Sequence, residues 1–484
     1  MAKRFINIVI DSLNPVVLVD CINKNKTPAL KFLADNGRFS LKCISCFPTM
    51  TPVAAASIAT GSSVDQHGVA GFIWYNQREQ RKINYGATKR AVAQIGVLQV
   101  VNDLLFSMNN SHLNVDTPTI FELLENRQIS TGAVNFFSFR GTTEHQVKVP
   151  WLINIASGFK LKGKINGPSQ LVLGKLVNST KAYFDNWQRR FGFNDYYTYK
   201  AALAMLSAKK PPSFLMLYFP DNDSFSHKYG PFNTQASIMK VDKYIGEILS
   251  IYGSWHKAIR ENVFLVLGDH SQSQIYNDGL ALIDLDRLTK GQKESVVICP
   301  NERMAYLHLL NTDPDCRRNL VQLLAKDDRI GIIAWKENTR YFATNNGCKQ
   351  KLEFWSGDQY LCSDKKWWNI KGDIQVVDGK LAVSNETKRI CFGDYPAAFS
   401  RLASALNKMP PSTIILSAKS GYEFSGSDAP THLGGGSHGS LHKDDSYVPL
   451  IITGSDLWPS QEGIDYLQEL WCQHFGINHP TLKP

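Results

Sequence analysis

The sequence lacks any uninterrupted apolar stretch long enough to cross a lipid bilayer. Its first residues, MAKRFINIVIDSLNPVVLVDC, begin with basic side chains, but Asn7, Asp11 and Pro15 interrupt the apolar run and no small-residue cleavage site follows it. We therefore expect neither a membrane anchor nor a secretory leader, and we expect a cytoplasmic protein.

Cysteine is sparse and shows no framework. The nine cysteines are odd in number and scattered in spacing, which disfavours a set of disulfides and agrees with a reducing compartment. Cys43 and Cys46 form a CxxC pair. Because no second CxxC accompanies it, alternation along a short strand explains this pair better than a zinc site does.

The sequence also lacks long runs of lysine or arginine, internal repeats and low-complexity tracts. Its formal net charge is nevertheless +10, from 53 basic and 43 acidic residues. A basic balance favours acidic partners, and without a basic stripe we expect a small anionic substrate rather than a nucleic acid. The oligomeric state is not encoded in any pattern that we can identify.

What the chain has in abundance is continuous apolar runs that alternate with helical patterns. Continuous rather than alternating hydrophobicity indicates strands buried on both faces, as in a parallel sheet between helices. We predict an α/β fold with a doubly wound, mostly parallel sheet and helices on both faces. The predicted strands are 5–10, 130–137, 213–219, 262–268 and 447–454, and the predicted helices are 28–37, 117–127, 199–209 and 234–253.

One stretch departs from this pattern. From about 295 to 420 the chain has its own strand–helix–strand order, followed by an aromatic and basic segment. We predict an inserted α+β cap subdomain at 295–420, with the core of the fold formed by 1–294 and completed by 421–484. The role of the inserted segment is left open.

Three apolar runs end in aspartate. Asp11 follows the first run, Asp221 and Asp223 follow the run 213–219, and Asp269 follows the run 262–268. Ligands of open α/β sheets bind at the carboxyl ends of the strands. Acids gathered there repel one another unless cations neutralise them. Each aspartate alone would more often be a turn or cap residue.

Histidines accompany these acids. His227 follows Asp223 at i+4, so both side chains share a face if the segment is helical. His270 is adjacent to Asp269, and the pair can converge if the chain turns after the strand. His438 lies in GGGSHG, which on its own is more typical of a flexible surface loop. Asp and His ligands together suit zinc, with manganese as the alternative, and two divalent ions against three aspartates would leave a net charge of +1.

Thr51 stands directly before Pro52 and the apolar segment PVAAASIATG. Proline suits the first position of a helix, so we expect Thr51 to be an N-cap residue. The N-terminus of a helix favours anions, and a metal ion lowers the pKa of a nearby hydroxyl. Thr51 is thus a candidate nucleophile, with a plain N-cap as the alternative.

The sequence resembles the alkaline phosphatase superfamily, in its type I phosphodiesterase/nucleotide pyrophosphatase branch. The blocks that carry the resemblance span residues 5 to 454 in the family's order: IVID, FPTMT…ATG…QHG, DNDSFSHKYGP, GDH and GSHGS. The resemblance implies two divalent metal ions. Asp11, Thr51, Asp269 and His270 would hold one, and Asp223, His227 and His438 the other. It also implies that Thr51 attacks phosphorus and that water then hydrolyses a phospho-threonine intermediate.

Two departures from the family bear on its function. Diesterase members often carry an asparagine three residues after the nucleophile, where this chain has Ala54. Ser226 stands where a glycine often precedes the histidine. Because Ala54 has no amide, negative charge in the transition state would be stabilised mainly by the metals and by the backbone N–H of Thr51. We expect a structural role for His67, and core packing for most of Trp74, Tyr75, Trp355, Trp367 and Trp368.

The leading hypothesis is a metal-dependent phosphodiesterase or nucleotide pyrophosphatase acting on a small phosphorylated compound, a nucleotide among the candidates. A phosphomonoesterase or phosphonate hydrolase of the same superfamily remains an alternative. The sulfatase motif CxPSR is approached at Cys46 but lacks its arginine. A binding protein that has lost turnover is the alternative of a different class, and the complete set of seven candidate ligands argues against it.

Overall fold

The computed structural model describes residues 2–86, 92, 95–148, 163–180, 192–290, 295–311, 313–383, 388–426 and 429–480. Within these ranges, no helix combines the length and the apolar character that a membrane crossing requires.

The core of the fold is an eight-stranded mixed sheet. Four parallel pairings join its five inner strands. The three antiparallel pairings lie toward the two edges. In spatial order the strands are Gly37–Ile44, Tyr447–Thr453, Asn262–Gly268, Arg4–Ile10, Phe214–Phe219, Thr131–Val134, Gln170–Leu173 and Val177–Asn178. The α/β class and the mostly parallel centre agree with the prediction.

Two hydrophobic clusters cover opposite faces of this sheet. Along the first strand, Phe5 and Val9 belong to one cluster, whereas Ile6, Ile8 and Ile10 belong to the other. This strand is therefore apolar on both sides, which explains its continuous hydrophobicity. Helices Thr51–Thr60, Ile120–Glu125 and Leu467–Phe475 pack on the first face; helices Pro15–Asn23, Pro28–Asp35, Asp195–Leu206, Gln235–Ser250 and Trp255–Glu261 pack on the second.

A second sheet of nine strands is formed by the segment that lies between the core strands Asn262–Gly268 and Tyr447–Thr453 in the chain. All of its strands lie between Val296 and Ala418. They are, in spatial order, Val296–Asn301, Met304–Leu309, Thr413–Ala418, Ile330–Glu337, Arg340–Asn345, Gln350–Cys362, Lys388–Phe392 and Gly379–Val383, with Trp367–Gly372 also paired to Gln350–Cys362. Helices Pro314–Leu324 and Ala398–Lys408 accompany it.

The second sheet is not separated from the rest by a polar boundary. One hydrophobic cluster contains Phe47 and Val53, close to Thr51 in sequence, together with Tyr306, Phe354 and Phe399 of the later segment. The domain limits 1–294, 295–420 and 421–484 remain a prediction, and the two parts share a continuous apolar interface.

Shorter elements complete the part of the chain that the structure describes. Four two-stranded ribbons pair Ile73–Asn76 with Arg81–Asn84, Thr143–Gln146 with Lys164–Gly167, Ser273–Gln274 with Gly436–Ser437, and Leu282–Asp284 with Glu423–Ser425. The remaining helical segments are Val64–His67, Val97–Asn102, Asp103–His112, Asp221–Tyr229, Pro231–Asn233, Gly279–Ala281, Leu285–Leu288, Asn346–Cys348, Ile374–Val377, Lys443–Ser446 and Ile464–Tyr466.

Strand register brings the candidate acids together. Ile10 is the partner of Phe219 on one side and of Gly268 on the other. The residues that follow these three positions therefore leave the same edge of the sheet, as predicted from the rule that ligands bind at carboxyl strand ends.

Candidate metal centre

Thr51 opens the helix Thr51–Thr60 instead of capping it. The N-cap residue is Met50, so the predicted N-cap role of Thr51 is wrong by one position. The helix forms from an alanine-rich segment with a proline in its first turn and ends at Gly61, whose φ is 59°. Because the hydroxyl of Thr51 is not used to cap the helix, it is available to the strand ends, and it lies 3.1 Å from Nε2 of His270.

A first group of side chains surrounds that histidine nitrogen. Nε2 of His270 lies 3.6 Å from Oδ1 of Asp11 and 3.8 Å from Oδ2 of Asp269. Asp11, Asp269 and His270 present ligand atoms within 4.8 Å of one another, and all three are buried. The chain does turn after the strand Asn262–Gly268, which lets the adjacent Asp269 and His270 converge.

The acids of this group carry the electrostatic signature of a cation site. Burial raises the pKa of Asp11 well above its ordinary value, and repulsion from Asp269 and Asp223 raises it further. Oδ1 of Asp11 is buried and has no hydrogen-bond partner. A buried carboxylate oxygen without a partner is costly, so a divalent cation fits this place better than an empty space does.

A second group forms around Asp223. The segment Asp221–Tyr229 is a helix, so Asp223 and His227 share one face as the i, i+4 spacing predicts. Nε2 of His227 lies 3.2 Å from Oδ1 of Asp223, and Nε2 of His438 lies 3.7 Å from the same oxygen. Burial would raise the pKa of Asp223, but the neighbouring imidazoles of His227, His438 and His270 hold it well below its ordinary value.

Backbone carbonyls fix both imidazoles of this group. Nδ1 of His227 lies 2.8 Å from the carbonyl oxygen of Gly436, and Nδ1 of His438 lies 2.7 Å from that of Thr49. In a neutral ring whose Nδ1 donates to the carbonyl, Nε2 carries the lone pair, and in both residues Nε2 faces Asp223. Such hydrogen bonds set the tautomer and the ring orientation of metal-binding histidines.

The glycine-rich segment around His438 is built into the core and is not a flexible surface loop. His438 is 3% exposed, and Gly436–Ser437 pairs with Ser273–Gln274. A Cβ atom at Gly435 would lie 1.9 Å from the carbonyl oxygen of His227. Glycine is therefore required for the close approach that places His438 beside Asp223.

The two groups adjoin each other. The rings of His270 and His438 stack with centroids 4.0 Å apart, and Asp223 presents a ligand atom within 4.8 Å of both. All seven residues singled out in the sequence thus converge on one place: Asp11, Thr51, Asp223, His227, Asp269, His270 and His438. Their division between two ions remains a prediction.

Two polar residues that the sequence did not reveal hold Asp223 in position. Ser12 donates a hydrogen bond of 2.8 Å from its hydroxyl to Oδ1 of Asp223, and Nε2 of Gln272 donates one of 2.7 Å to the same atom. The Ser226 hydroxyl donates to Oε1 of Gln272 at 2.7 Å. Ser226 replaces the glycine that the family often carries. This departure in the sequence could have indicated an additional hydrogen bond near Asp223.

Glu302 and His432 are further residues that sequence patterns missed. Glu302 is 6% exposed and comes from the hairpin between Val296–Asn301 and Met304–Leu309 of the second sheet. The ring of His432 stacks on that of His227 at 4.0 Å, and Nδ1 of His432 lies 3.1 Å from Glu423. Neither residue follows a core strand, so no strand-end rule points to them.

A cleft of about 220 Å³ opens onto Thr51 and the group around Asp223. Its polar lining includes Thr51, Asp223, His227 and Glu302, and Phe72 contributes to its apolar lining. The full lining is Met50, Thr51, Phe72, Ile73, Asp223, His227, Pro300, Asn301, Glu302, Pro430, His432 and His438. Among these described residues there is no arginine or lysine.

Other candidate residues lie outside the cleft. Ala54 is fully buried in the cluster on the first face of the core sheet, so no side chain replaces the family's asparagine at this position. His67 is also buried; its Nε2 lies 3.0 Å from the hydroxyl of Ser57, and burial lowers its pKa to about 3, which fits the structural role. Trp74, Tyr75 and Trp368 pack in the core, whereas Trp367 is 41% exposed.

Comparison with known proteins places this geometry in a family. The family model described as "Type I phosphodiesterase / nucleotide pyrophosphatase" matches residues 5–441. Bis(5'-adenosyl)-triphosphatase ENPP4 of Bos taurus is 31% identical over 114 residues, and its Mus musculus counterpart is 32% identical over 127 residues. These matches cover 22% and 25% of this chain, and the chain spans 24% and 26% of these curated relatives.

Solved structures show the same fold over almost the whole chain. Murine ectonucleotide pyrophosphatase/phosphodiesterase 5 aligns with a TM-score of 0.60 at 13% identity, over 99% of this chain and 96% of its own. The human protein aligns with a TM-score of 0.59 at 12% identity, over 98% and 96%. An inactive murine variant in complex with AMP aligns equally well, at 0.59 and 12%, over 99% and 96%. Since the family model covers nine-tenths of the sequence, the chain belongs to the type I phosphodiesterase/nucleotide pyrophosphatase family, with its alkaline-phosphatase-like fold.

Proposed function

We propose that the protein is a metal-dependent hydrolase that cleaves phosphodiester or pyrophosphate bonds of nucleotides, with Thr51 as the nucleophile. The observation that carries this proposal is the position of the Thr51 hydroxyl. It lies 3.1 Å from Nε2 of His270, and Thr51 lines the cleft. The same nitrogen faces two buried carboxylates, Asp11 and Asp269, and one oxygen of Asp11 has no hydrogen-bond partner.

The donor set fits two divalent ions. Asp11, Thr51, Asp269 and His270 would hold one, and Asp223, His227 and His438 the other. Imidazole and carboxylate donors suit zinc, with manganese as the alternative. Bound at these places, the ions supply Lewis acidity, which lowers the pKa of the hydroxyl and neutralises charge on the phosphoryl group.

The chain's own groups perform the remaining tasks. Thr51 gives up its hydroxyl proton to water, and its oxygen forms a bond to phosphorus while the bond from phosphorus to the leaving oxygen breaks. The leaving oxygen departs with the electron pair and takes up a proton. Water then attacks phosphorus and loses a proton, the bond from phosphorus to the Thr51 oxygen breaks, and that oxygen takes up a proton to regenerate the hydroxyl. Thr51 is the first residue of its helix, so its backbone N–H has no partner within the helix and can donate to a phosphoryl oxygen.

The cleft favours diesters over monoesters. A phosphomonoester carries one more negative charge at phosphorus than a diester, and the described lining offers Glu302 but no arginine or lysine to meet it. A nucleotide substrate is supported by the names of the relatives, one a bis(5'-adenosyl)-triphosphatase and another solved with AMP. Phe72 and Ile73 form part of an apolar wall on which a flat base could pack.

A panel of substrates tests this proposal. We expect the zinc-loaded protein to hydrolyse bis(p-nitrophenyl) phosphate and a dinucleoside polyphosphate with higher kcat/KM than p-nitrophenyl phosphate or a phosphonate. Preference for the monoester or the phosphonate would reject the diesterase assignment while retaining a hydrolase. Absence of turnover on every compound, with two ions bound, would favour a phosphate-binding protein.

A cytoplasmic location remains part of the proposal. All nine cysteines are free in the structure, as a reducing compartment requires. Fractionation of expressing cells, with the protein detected by antibody, would test it.

A further inference from the structure

We propose that Glu302 is a fourth protein ligand of the ion held by Asp223, His227 and His438. This inference rests on the proposed two-metal function and concerns only one of the two positions. It would make that position a closed, four-ligand site supplied partly by the second sheet.

The first step is the direction in which the histidines point. Nδ1 of His227 and Nδ1 of His438 are both engaged by backbone carbonyls, so their Nε2 atoms are the metal-binding nitrogens. Nε2 of His227 lies 3.8 Å from Oε1 of Glu302, and Nε2 of His438 lies 3.6 Å from Oε2 of Glu302. The Glu302 carboxylate therefore faces the same nitrogens that Asp223 faces.

The second step is the spacing of these atoms. A tetrahedral zinc ion bound at about 2.0–2.1 Å separates its ligand atoms by about 3.3 Å. Oδ1 of Asp223 lies 3.2 and 3.7 Å from the two nitrogens. Glu302 faces them with separate oxygens, Oε1 at 3.8 Å from His227 and Oε2 at 3.6 Å from His438. These two carboxylates thus stand at comparable distances from the histidine pair, close to the spacing of a shared ion.

The third step is how the chain holds Glu302 in place. Its φ is 57°, a left-handed conformation that is unfavourable for a residue with a side chain. Oε2 accepts hydrogen bonds from the Ser437 hydroxyl at 2.9 Å and from the backbone N–H of His438 at 3.1 Å. Strained backbone persists where its surroundings fix it, and such positions cluster at functional sites.

The remaining neighbour of the carboxylate is His432. Its Nδ1 lies 3.9 Å from Oε2 of Glu302 but only 3.1 Å from Oε2 of Glu423, and its backbone N–H also donates to Glu423. Glu423 thus holds His432 against the outer side of the cluster. Among the described residues, Glu302 is therefore the carboxylate that, besides Asp223, faces the Nε2 atoms of both His227 and His438.

A fourth protein ligand has a chemical consequence. Catalytic zinc sites keep a position open for substrate or water, whereas closed sites hold four protein ligands. With Glu302 bound to the ion, a phosphoryl oxygen of the substrate would have to displace Glu302 or bind as an additional ligand. The four carboxylates of Asp11, Asp223, Asp269 and Glu302 would also balance two divalent ions, removing the net positive charge that attracts a dianionic monoester.

Metal affinity tests the inference without relying on turnover. Zinc binding to the native protein, Glu302→Gln and Glu423→Gln is measured by competition with a chromophoric chelator. We expect Glu302→Gln to lower the affinity for one of the two zinc ions by about 10-fold or more, because loss of a contact that supports the site has an effect of this size. Glu423→Gln, which loses a buried carboxylate of the same region, should keep both affinities within about 3-fold of native. Equal affinities in all three proteins would overturn the assignment.

If Glu302→Gln does not fold, a crystal structure of the zinc-loaded native protein tests the same inference directly. We expect a Glu302 oxygen at about 2.0–2.2 Å from the ion beside Asp223. A separation above about 3 Å, or an ion bound to Glu302 and His432 apart from Asp223, would overturn the inference while leaving the two-metal function intact. Native protein that binds no zinc would instead overturn both.

Discussion

Nε2 of His270 and Oγ1 of Thr51 lie 3.1 Å apart although 219 residues separate them in the chain. The contact joins the end of a core strand to the first turn of a helix. Because the hydroxyl contacts an imidazole that also faces Asp11 and Asp269, it occupies the position of a further ligand in that group. This single contact connects the proposed nucleophile to the candidate metal centre.

Substitution of Thr51 tests the nucleophile directly. We expect Thr51→Ala to lower kcat by about 10³-fold or more, because the group that bonds to phosphorus is lost. Thr51→Ser should retain part of the rate. The matched control is Thr60→Ala, at the other end of the same helix, where the hydroxyl donates to the carbonyl oxygen of Ala56 at 2.7 Å.

The control should lose about 1 kcal/mol of stability and keep native turnover. Phosphodiester hydrolysis and thermal unfolding measure the two properties. Native-like turnover in Thr51→Ala would show that a different group attacks phosphorus.

Metal content tests the donor set. Elemental analysis after zinc loading should give about two ions per chain, and chelation should abolish turnover. Asp11→Asn should lower the stoichiometry toward one, because the buried Oδ1 without a partner would no longer belong to a charged carboxylate. Two firmly held ions in Asp11→Asn would remove Asp11 from the ligand set.

The hydrogen bonds to Asp223 predict a positioning role for Gln272. We expect Gln272→Ala to weaken zinc binding by about 10–100-fold, with turnover restored by excess zinc, because the amide orients the carboxylate. Ser226→Ala should act in the same direction and more weakly, since its hydroxyl contacts only the amide. Zinc titrations of turnover separate affinity from kcat.

Gln468→Ala provides the comparison for that experiment. Its buried amide donates to the carbonyl oxygens of Ala59 and Pro118 and does not contact Asp223. It should therefore change stability without changing zinc affinity. If Gln272→Ala and Gln468→Ala shift the zinc titration equally, the effect is structural and the positioning role is wrong.

A pH effect on stability follows from Asp242. Burial raises the pKa of this carboxyl to about 6, although it accepts hydrogen bonds from the backbone N–H groups of Leu30 and Ala29. The folded state thus binds the proton more tightly than the unfolded state, whose pKa is about 3.9. The stabilisation is fully present below that value and is lost as the pH rises through about 6.

The Asp242→Asn variant isolates this contribution. It retains an oxygen that accepts from Leu30 but cannot ionise. The difference in Tm between native and variant proteins should therefore move in favour of the variant between about pH 4 and about pH 7. A Tm difference that stays constant over this range would contradict the raised pKa.

The sequence predicted those parts of the site that depend on local order. The i, i+4 spacing placed Asp223 and His227 on one helix face, and the strand ends located Asp11 and Asp269. Thr51 was predicted as the N-cap residue but is the first residue of the helix. Its hydroxyl contacts His270, which is distant in sequence, and a local sequence pattern cannot reveal that contact. Family blocks, rather than spacing, brought in His438.

Glu302 could not be predicted for a physical reason. It lies in a hairpin of the second sheet, and its approach to His227 depends on how two sheets pack through a shared apolar cluster. Neither that packing nor a left-handed backbone at a residue other than glycine leaves a periodic pattern in the sequence. The same packing shows why 295–420, predicted from its separate strand–helix order, is closely joined to the core.

The stacked rings of His270 and His438 place the two predicted ion positions in direct contact through side chains. A cation that binds one ring would shift the surface on which the other ring packs. It would also change the electrostatic potential at Asp223, which lies close to both rings. Occupancy of the two positions would then be cooperative. A zinc titration should depart from the curve of two independent sites, and the order in which the ions enter would decide when the protein becomes competent.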